Sequence, residues 1–270
     1  FDNVNGIYMA DIDSDGDIDI ISAAYQNSGG PITWWENDGA VNPTFTGDNL
    51  LGSAYGAKDV HAGDIDGDGD LDIVASERDQ IQWFEHDGSA NPTNWNITQI
   101  FASSTSSIGA PTASSSSGVN WNDKTIDLAD IDSDGDLDVI SALYDADTIA
   151  WHENNGSGSF TTSVIATNTD GASSVFVADI DGDRDLDVVS ASYNDDTIAW
   201  YENNGAANPT FTAADIATNI DGAYHVYAED MDADGDIDIL ASASIGDKVV
   251  LFKSNGAADP TFTASDIITS

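Results

Sequence analysis

Apolar residues come in short runs along this chain, each broken by Gly, Asn, Asp or Pro. The cleanest stretch shows the pattern. "SVFVA" leads into an acidic segment and "DVVSAS" leaves it; "TIAWYEN" follows a turn at Asp195 and Asp196, and "FTAADIAT" closes the unit after Asn-Asn-Gly and Asn-Pro. The runs are rich in β-branched and aromatic residues, which suit strands, and the breaks carry turn formers. No 3.6-residue period lasts more than a turn, so the pattern predicts no helix. Each unit reads as four short strands.

The unit recurs. Its acidic segment is a nonamer, "DIDSDGDID" in the first copy, with copies starting at Asp11, Asp64, Asp130, Asp179 and Asp230, spaced by 53, 66, 49 and 51 residues. A four-stranded unit repeating at about 40–50 residues is the signature of a β-propeller. The pattern predicts an all-β fold: a propeller of five four-stranded blades, one domain over 1–270, with repeats at approximately 1–52, 53–118, 119–169, 170–220 and 221–270. The stretches flanking the first and last nonamers together amount to one repeat length, so five whole blades in a ring are expected. The long interval holds a Ser/Thr-rich insertion, "SSTSSIGAPTASSSSG" at 103–118, expected as a rim loop because it lacks the apolar residues to build a core.

The third strand of each unit pairs two large residues. Trp34, Trp83, Trp151, Trp200 and Leu251 hold one position; Trp35, Phe84, His152, Tyr201 and Phe252 hold the next. Neighbouring strand residues point to opposite faces, so both faces of each sheet should be covered by packing between blades. A carbohydrate-stacking platform is the alternative use of these rings.

Charge changes the picture. There are 49 acids against 6 bases, a formal net charge of −43, and no cysteine. Nucleic acid and anionic membranes are poor partners for such a surface. Disulfides and zinc–thiolate sites are excluded, and no apolar stretch is long enough to span a membrane as a helix. The chain starts at Phe1, which reads as a processed or trimmed N-terminus.

Much of the acid sits in the five nonamers. Acids at loop positions 1, 3, 5 and 9 can converge on one point. Position 6, Gly16 in the first copy, permits a sharp turn. Position 7 can offer its carbonyl while the Asp17 side chain points elsewhere, and Ile18 at position 8 is expected to fold into the core as an anchor. Carboxylates a few ångströms apart repel by about 1–4 kcal/mol per pair, so a cation is expected among them. All-oxygen ligands in a flexible loop select Ca²⁺ over zinc, copper or Mg²⁺. The candidate ligands are Asp11, Asp13, Asp15, Asp17 and Asp19; Asp64, Asp66, Asp68, Asp70 and Asp72; Asp130, Asp132, Asp134, Asp136 and Asp138; Asp179, Asp181, Asp183, Asp185 and Asp187; and Asp230, Asp232, Asp234, Asp236 and Asp238. About five ions, one per blade, are expected. An EF-hand is rejected, because its position 12 Glu is replaced here by Ser22, Ala75, Ser141, Ser190 and Ala241. The fourth loop, "DIDGDRDLD", carries Arg184 where the others carry Gly and should be the weakest site.

These loops, followed by segments such as "IAWYENNG", resemble the FG-GAP/VCBS repeat family, and through it the calcium-binding blades of integrin α-subunit propellers. The resemblance spans essentially the whole chain. It implies ligand roles for loop positions 1, 3, 5, 7 and 9, and a secreted protein of a bacterial cell surface or matrix. Such propellers commonly have seven blades, from which five repeats depart.

The expected function is a non-catalytic extracellular binding or adhesion module for a glycan or a protein, with structural calcium. A structural subunit of a fibre or matrix, with self-assembly, is one alternative; a polysaccharide lyase or hydrolase is another. No nucleophile elbow, phosphate loop or zinc-protease motif is present. The histidines are His61, His86, His152 and His225. First-strand positions Tyr8, His61, Asp127, Phe176 and Tyr227 are expected to line a central channel.

Overall fold

A computed structural model describes residues 3–25, 30–54, 56–77, 80–89, 95–102 and 124–269. The Ser/Thr-rich insertion at 103–118 lies outside the described residues. Strands β1–β4 are Asn3–Ala10, Asp19–Tyr25, Gly30–Asn37 and Phe45–Ala54, and β5–β8 are Asp59–Gly63, Asp72–Ser76, Gln80–Glu85 and Asn96–Ala102. Strands β9–β12 are Lys124–Ala129, Asp138–Leu143, Thr148–Asn154 and Phe160–Ala166. Strands β13–β16 are Ala172–Ala178, Asp187–Ser192, Thr197–Asn203 and Phe211–Ala217, and β17–β20 are Ala223–Glu229, Asp238–Ala243, Lys248–Lys253 and Thr263–Thr269. They form five four-stranded antiparallel sheets, one per repeat, each with its strands side by side in chain order. The one helical element among the described residues is a short 3-10 turn, Tyr144–Ala146.

The chain divides into two compact units, Phe1–Ala110 with His152–Thr161, and Pro111–Trp151 with Thr162–Ser270. In the first, β1 runs beside β5. Gly6 lets them approach: a Cβ there would lie 2.7 Å from the Lys58 carbonyl oxygen. Ile12, Ile21, Ile32, Trp34, Val60, Ile73 and Phe84 pack into one core.

In the second unit β13 lies beside both β9 and β17. Side chains bridge these first strands. Val175 N donates to Thr125 Oγ1 at 3.1 Å, Val177 N to Asp127 Oδ2 at 2.9 Å, and Ser173 Oγ to the Ala223 carbonyl at 3.0 Å. Aspartates in the turns between second and third strands make a further seam. Asp147 and Asp196 adopt left-handed backbone (φ 50° and 58°), and their Oδ1 atoms accept from Gly171 N and Gly222 N of the following repeat at 2.9 and 2.8 Å.

Burial follows the two-faced pattern. All six residues of β10 and of β14 are buried. Trp34, Trp83, Trp151 and Trp200 are buried on one face, and Phe84, His152, Tyr201 and Phe252 on the other. Removing such large side chains from water contributes roughly 1.5–3 kcal/mol each. They are therefore packing residues, and no stacking platform is built from them. Trp35 is the exception at 39% exposure.

Candidate metal centres

Each acidic nonamer is the turn between the first and second strands of its sheet. The five loops repeat one hydrogen-bond scheme. The amide at position 6 donates to the position 1 carboxylate: Gly16 to Asp11, Gly69 to Asp64, Gly135 to Asp130, Arg184 to Asp179 and Gly235 to Asp230, at 2.9 to 3.1 Å. The amide at position 7 donates to position 5 Oδ1 in all five, also at 2.9 to 3.1 Å. The backbone thus aims the carboxylates inward, a pattern that short polar side chains impose on tight turns.

The result is five clusters. One carboxylate oxygen each from Asp11, Asp13 and Asp15 lies within 4.8 Å of the others, and so with Asp130, Asp132 and Asp134, with Asp179, Asp181 and Asp183, and with Asp230, Asp232 and Asp234; in the second loop the three are Asp64, Asp66 and Asp72. The pKa values of Asp13, Asp66 and Asp181 at position 3 are raised above the ordinary carboxylate range, first by desolvation and then by neighbouring carboxylates, with Glu36, Glu85 and Glu202 of the third strands adding to the repulsion.

Two atoms test whether a cation fits. Asp11 and Asp64 each give Oδ2 to a backbone amide, while their Oδ1 atoms are closed off from solvent and accept no hydrogen bond. A buried carboxylate oxygen without a donor is costly. A hard cation beside it removes that cost, so these residues fit calcium.

Positions 7 and 9 sit differently. The position 7 side chains turn away to the glycine that ends the third-strand turn. A Cβ at Gly39, Gly205 or Gly256, each at φ 63°, would collide with Asp17, Asp185 or Asp236 respectively. The position 9 carboxylates are buried and span two elements. Asp19 accepts from Ile12 N at 3.2 Å, Trp34 Nε1 at 3.0 Å and Asn37 N at 2.8 Å. Asp187 accepts from Ile180 N and Asn203 N, and Asp72 from Ile65 N and His86 N. Desolvation pushes Asp72 and Asp187 up to about 7.

In four of the loops position 2 is the deepest anchor, and the expected anchor Ile18 is exposed, although Leu71, Leu186 and Ile237 at position 8 pack partly buried against the core. Ile12, Ile65, Ile131 and Ile180 are 1 to 3% exposed, whereas Ile18 is 54% exposed. Position 2 also faces the next repeat: Asn154 Nδ2 donates to the Ile65 carbonyl at 2.7 Å, and Asn203 Nδ2 to the Ile131 carbonyl at 3.0 Å. Arg184 adopts φ 83°, close to the 96 to 100° of the glycines at position 6. Position 4 is left-handed as well, at Ser14, Gly67, Ser133, Gly182 and Ala233.

The fifth loop departs from the rest. The third-strand residue that is Glu36, Glu85, Glu153 or Glu202 elsewhere is Lys253 here. Its ammonium bonds Asp232 and lies 3.1 Å from Asp234 Oδ2. Asp234 is held low, first by the Asp236 amide and then by Lys253, whose own pKa is raised by the two carboxylates.

The first-strand residues expected to line a channel form pairs within each unit. Tyr8 stacks obliquely on His61 at 5.2 Å, Phe176 on Tyr227 at 4.7 Å, and Asp127 is spent on Val177 N. In the second unit a groove of about 350 Å³ is lined by Val164, Ile165, Ala166, Ala199, Tyr201 and Ala213 together with Thr167, Asn168, Thr169, Ser192, Thr197 and Asp215.

Repeated four-stranded sheets, each carrying an acidic turn built on Asp-x-Asp-x-Asp, define a class of repeat protein. The FG-GAP-like repeat model matches residues 11–75, 130–190 and 179–241, and the chain belongs to that family. No curated protein sequence matches it significantly. Among solved structures, it is similar to an Agrocybe aegerita lectin that specifically recognises non-reducing terminal N-acetylglucosamine (19% identity, TM-score 0.62, 98% of this chain and 66% of that one). It is also similar to the Vibrio cholerae biofilm matrix protein Bap1 (20%, 0.54, 98% and 40%) and to a functionally unknown protein of Desulfotomaculum acetoxidans (12%, 0.54, 99% and 76%). The chain spans about two thirds of the lectin and less than half of the matrix protein.

Proposed function

We propose that the chain is a calcium-binding β-propeller, its five sheets serving as blades, that acts outside the cell as a non-catalytic binding module for a glycan or a protein. The observation that carries the calcium reading is the pair of buried, unpartnered oxygens, Asp11 Oδ1 and Asp64 Oδ1, on carboxylates that each cluster with two others. Bound calcium would supply positive charge at the point where the carboxylates converge. Positions 1, 3 and 5 would hold the ion, with Asp72 joining in the second loop. Position 9 closes the loop onto the third strand, and position 2 carries that order to the next repeat. Sites of this kind bind with roughly 10⁻⁴–10⁻³ M affinity, which suits extracellular calcium.

Similarity in fold to a lectin and to a biofilm matrix protein supports an extracellular binding role. The groove beside Thr167 and Asp215 sets hydroxyl, amide and carboxylate groups among the apolar side chains of Val164, Ile165, Ala199 and Tyr201, a mixed lining that supports binding of a sugar. The matrix neighbour favours a second reading, a structural component of an extracellular matrix.

Two measurements test the proposal. Chelation should lower the melting temperature, because each site held at ten times its Kd contributes about 1.4 kcal/mol to the folded state. An unmoved transition refutes the calcium reading. A glycan array with calcium present should show binding to a defined class of sugar; silence there, together with calcium-dependent self-association, would favour the matrix reading.

A further inference from the structure

We propose that Lys253 closes the fifth acidic loop in place of a metal ion, so that the chain takes up four calcium ions rather than five. This rests on the calcium reading of the other four loops. Near the end of the third strand, four sheets place Glu36, Glu85, Glu153 and Glu202, and the fifth places Lys253. In the first, second and fourth sheets that glutamate deepens the negative potential at the position 3 aspartate. In the fifth the sign is reversed. Lys253 Nζ bonds Asp232 at position 3 and lies 3.1 Å from Asp234 at position 5. These are two of the three carboxylates of that cluster.

An ammonium is a compact charge with three donors. Placed between positions 3 and 5, it occupies the space a divalent ion would need and satisfies the same oxygens. It is tethered to the adjacent strand, so it is present at every calcium concentration. A calcium ion entering the cluster must displace it or bear its repulsion at close range.

Two other features single out this loop. Position 2 is Met231, 47% exposed, where Ile12, Ile65, Ile131 and Ile180 are buried. The tryptophan that donates to Asp19 from the first third strand is replaced by Leu251. The fifth loop thus lacks both the buried anchor and the indole.

The test is an ion count on the whole chain at saturating calcium, about ten times the Kd of the sites or more, by native mass spectrometry with elemental analysis. The wild type should bind four ions. Lys253→Glu, which installs the residue of the other four sheets, should bind five, and Lys253→Met should also bind five, with weaker affinity for the added ion. The side chain is 46% exposed, so neither change empties a core. Five ions on the wild type, or four on both variants, would overturn the inference while leaving the calcium reading intact. No ions on any of the three proteins would overturn the calcium reading and this inference with it.

Discussion

Arg184 holds a backbone conformation that the other four loops give to glycine, and replacing it tests how the loops are built. At φ 83° its Cβ crowds the following carbonyl. A left-handed non-glycine residue costs about 1–2 kcal/mol. Arg184→Gly removes that strain, but glycine gives up roughly 0.5–1 kcal/mol of additional chain entropy on folding. Strain relief wins by roughly 0.5–1 kcal/mol. The loop already has this φ with its Arg184 amide bonded to Asp179 Oδ2 at 3.1 Å, so the gain belongs to the folded state whether or not an ion is bound. Thermal unfolding with calcium and with chelator should therefore show an increase in both, on the order of 2 °C for a chain of this size. Arg184→Ala removes the charge and keeps the strained Cβ, so it should leave the transition near that of wild type. If the alanine variant gains as much as the glycine variant, charge and not backbone strain governs the position, and the reasoning fails. Calcium titration of the glycine variant reads the charge effect separately: loss of the guanidinium should tighten the fourth site.

Other substitutions probe the seams. Asn203→Ala leaves the Ile131 carbonyl without its 3.0 Å donor and should cost about 1–3 kcal/mol in denaturant unfolding. Gly205→Ala should be destabilising, because it meets both φ 63° and the Asp185 carboxylate; pairing it with Asp185→Ala should recover part of the loss, and strict additivity would refute the contact. Asp187 has a folded pKa of about 7 against 3.8 for an ordinary aspartate. Between those values the folded state binds more protons, so in chelator stability should fall as pH rises from 4 to 7 and then level off. Asp187→Asn should remove part of that slope, Asp72 carrying a like share, and an unchanged slope would assign it to the net charge instead.

Much of this was legible in the chain. Repetition fixed the strands, since "DVVSAS" is β14 and "TIAWYEN" is β15 residue for residue. The spacing of acids placed the clusters, because side chains two residues apart in a tight turn share a side. What stayed hidden is informative. Position 4 is left-handed at Ser14, Ser133 and Ala233, residue types whose identity does not demand it. Position 8 reads as the anchor because isoleucine and leucine stand there in all five loops, yet Ile18 is exposed and in four loops the isoleucine at position 2 is the fully buried one. Lys253 was one base against a large acidic background, and its meaning appears only when strand register sets it opposite Asp232. Gly39, Gly205 and Gly256 read as ordinary turn formers until the position 7 carboxylates are seen to lie against them.

The asparagine that reaches the position 2 carbonyl of the preceding repeat sets an order of events during synthesis. Ile65 waits for Asn154, 89 residues downstream, and Ile131 for Asn203, 72 residues downstream. A nascent sheet can pair its strands as soon as they are made, and position 9 ties its turn to its own third strand, but the position 2 carbonyls of Ile65 and Ile131 gain these donors only once the third strand of the next repeat has been translated. For these two turns the following repeat completes its predecessor.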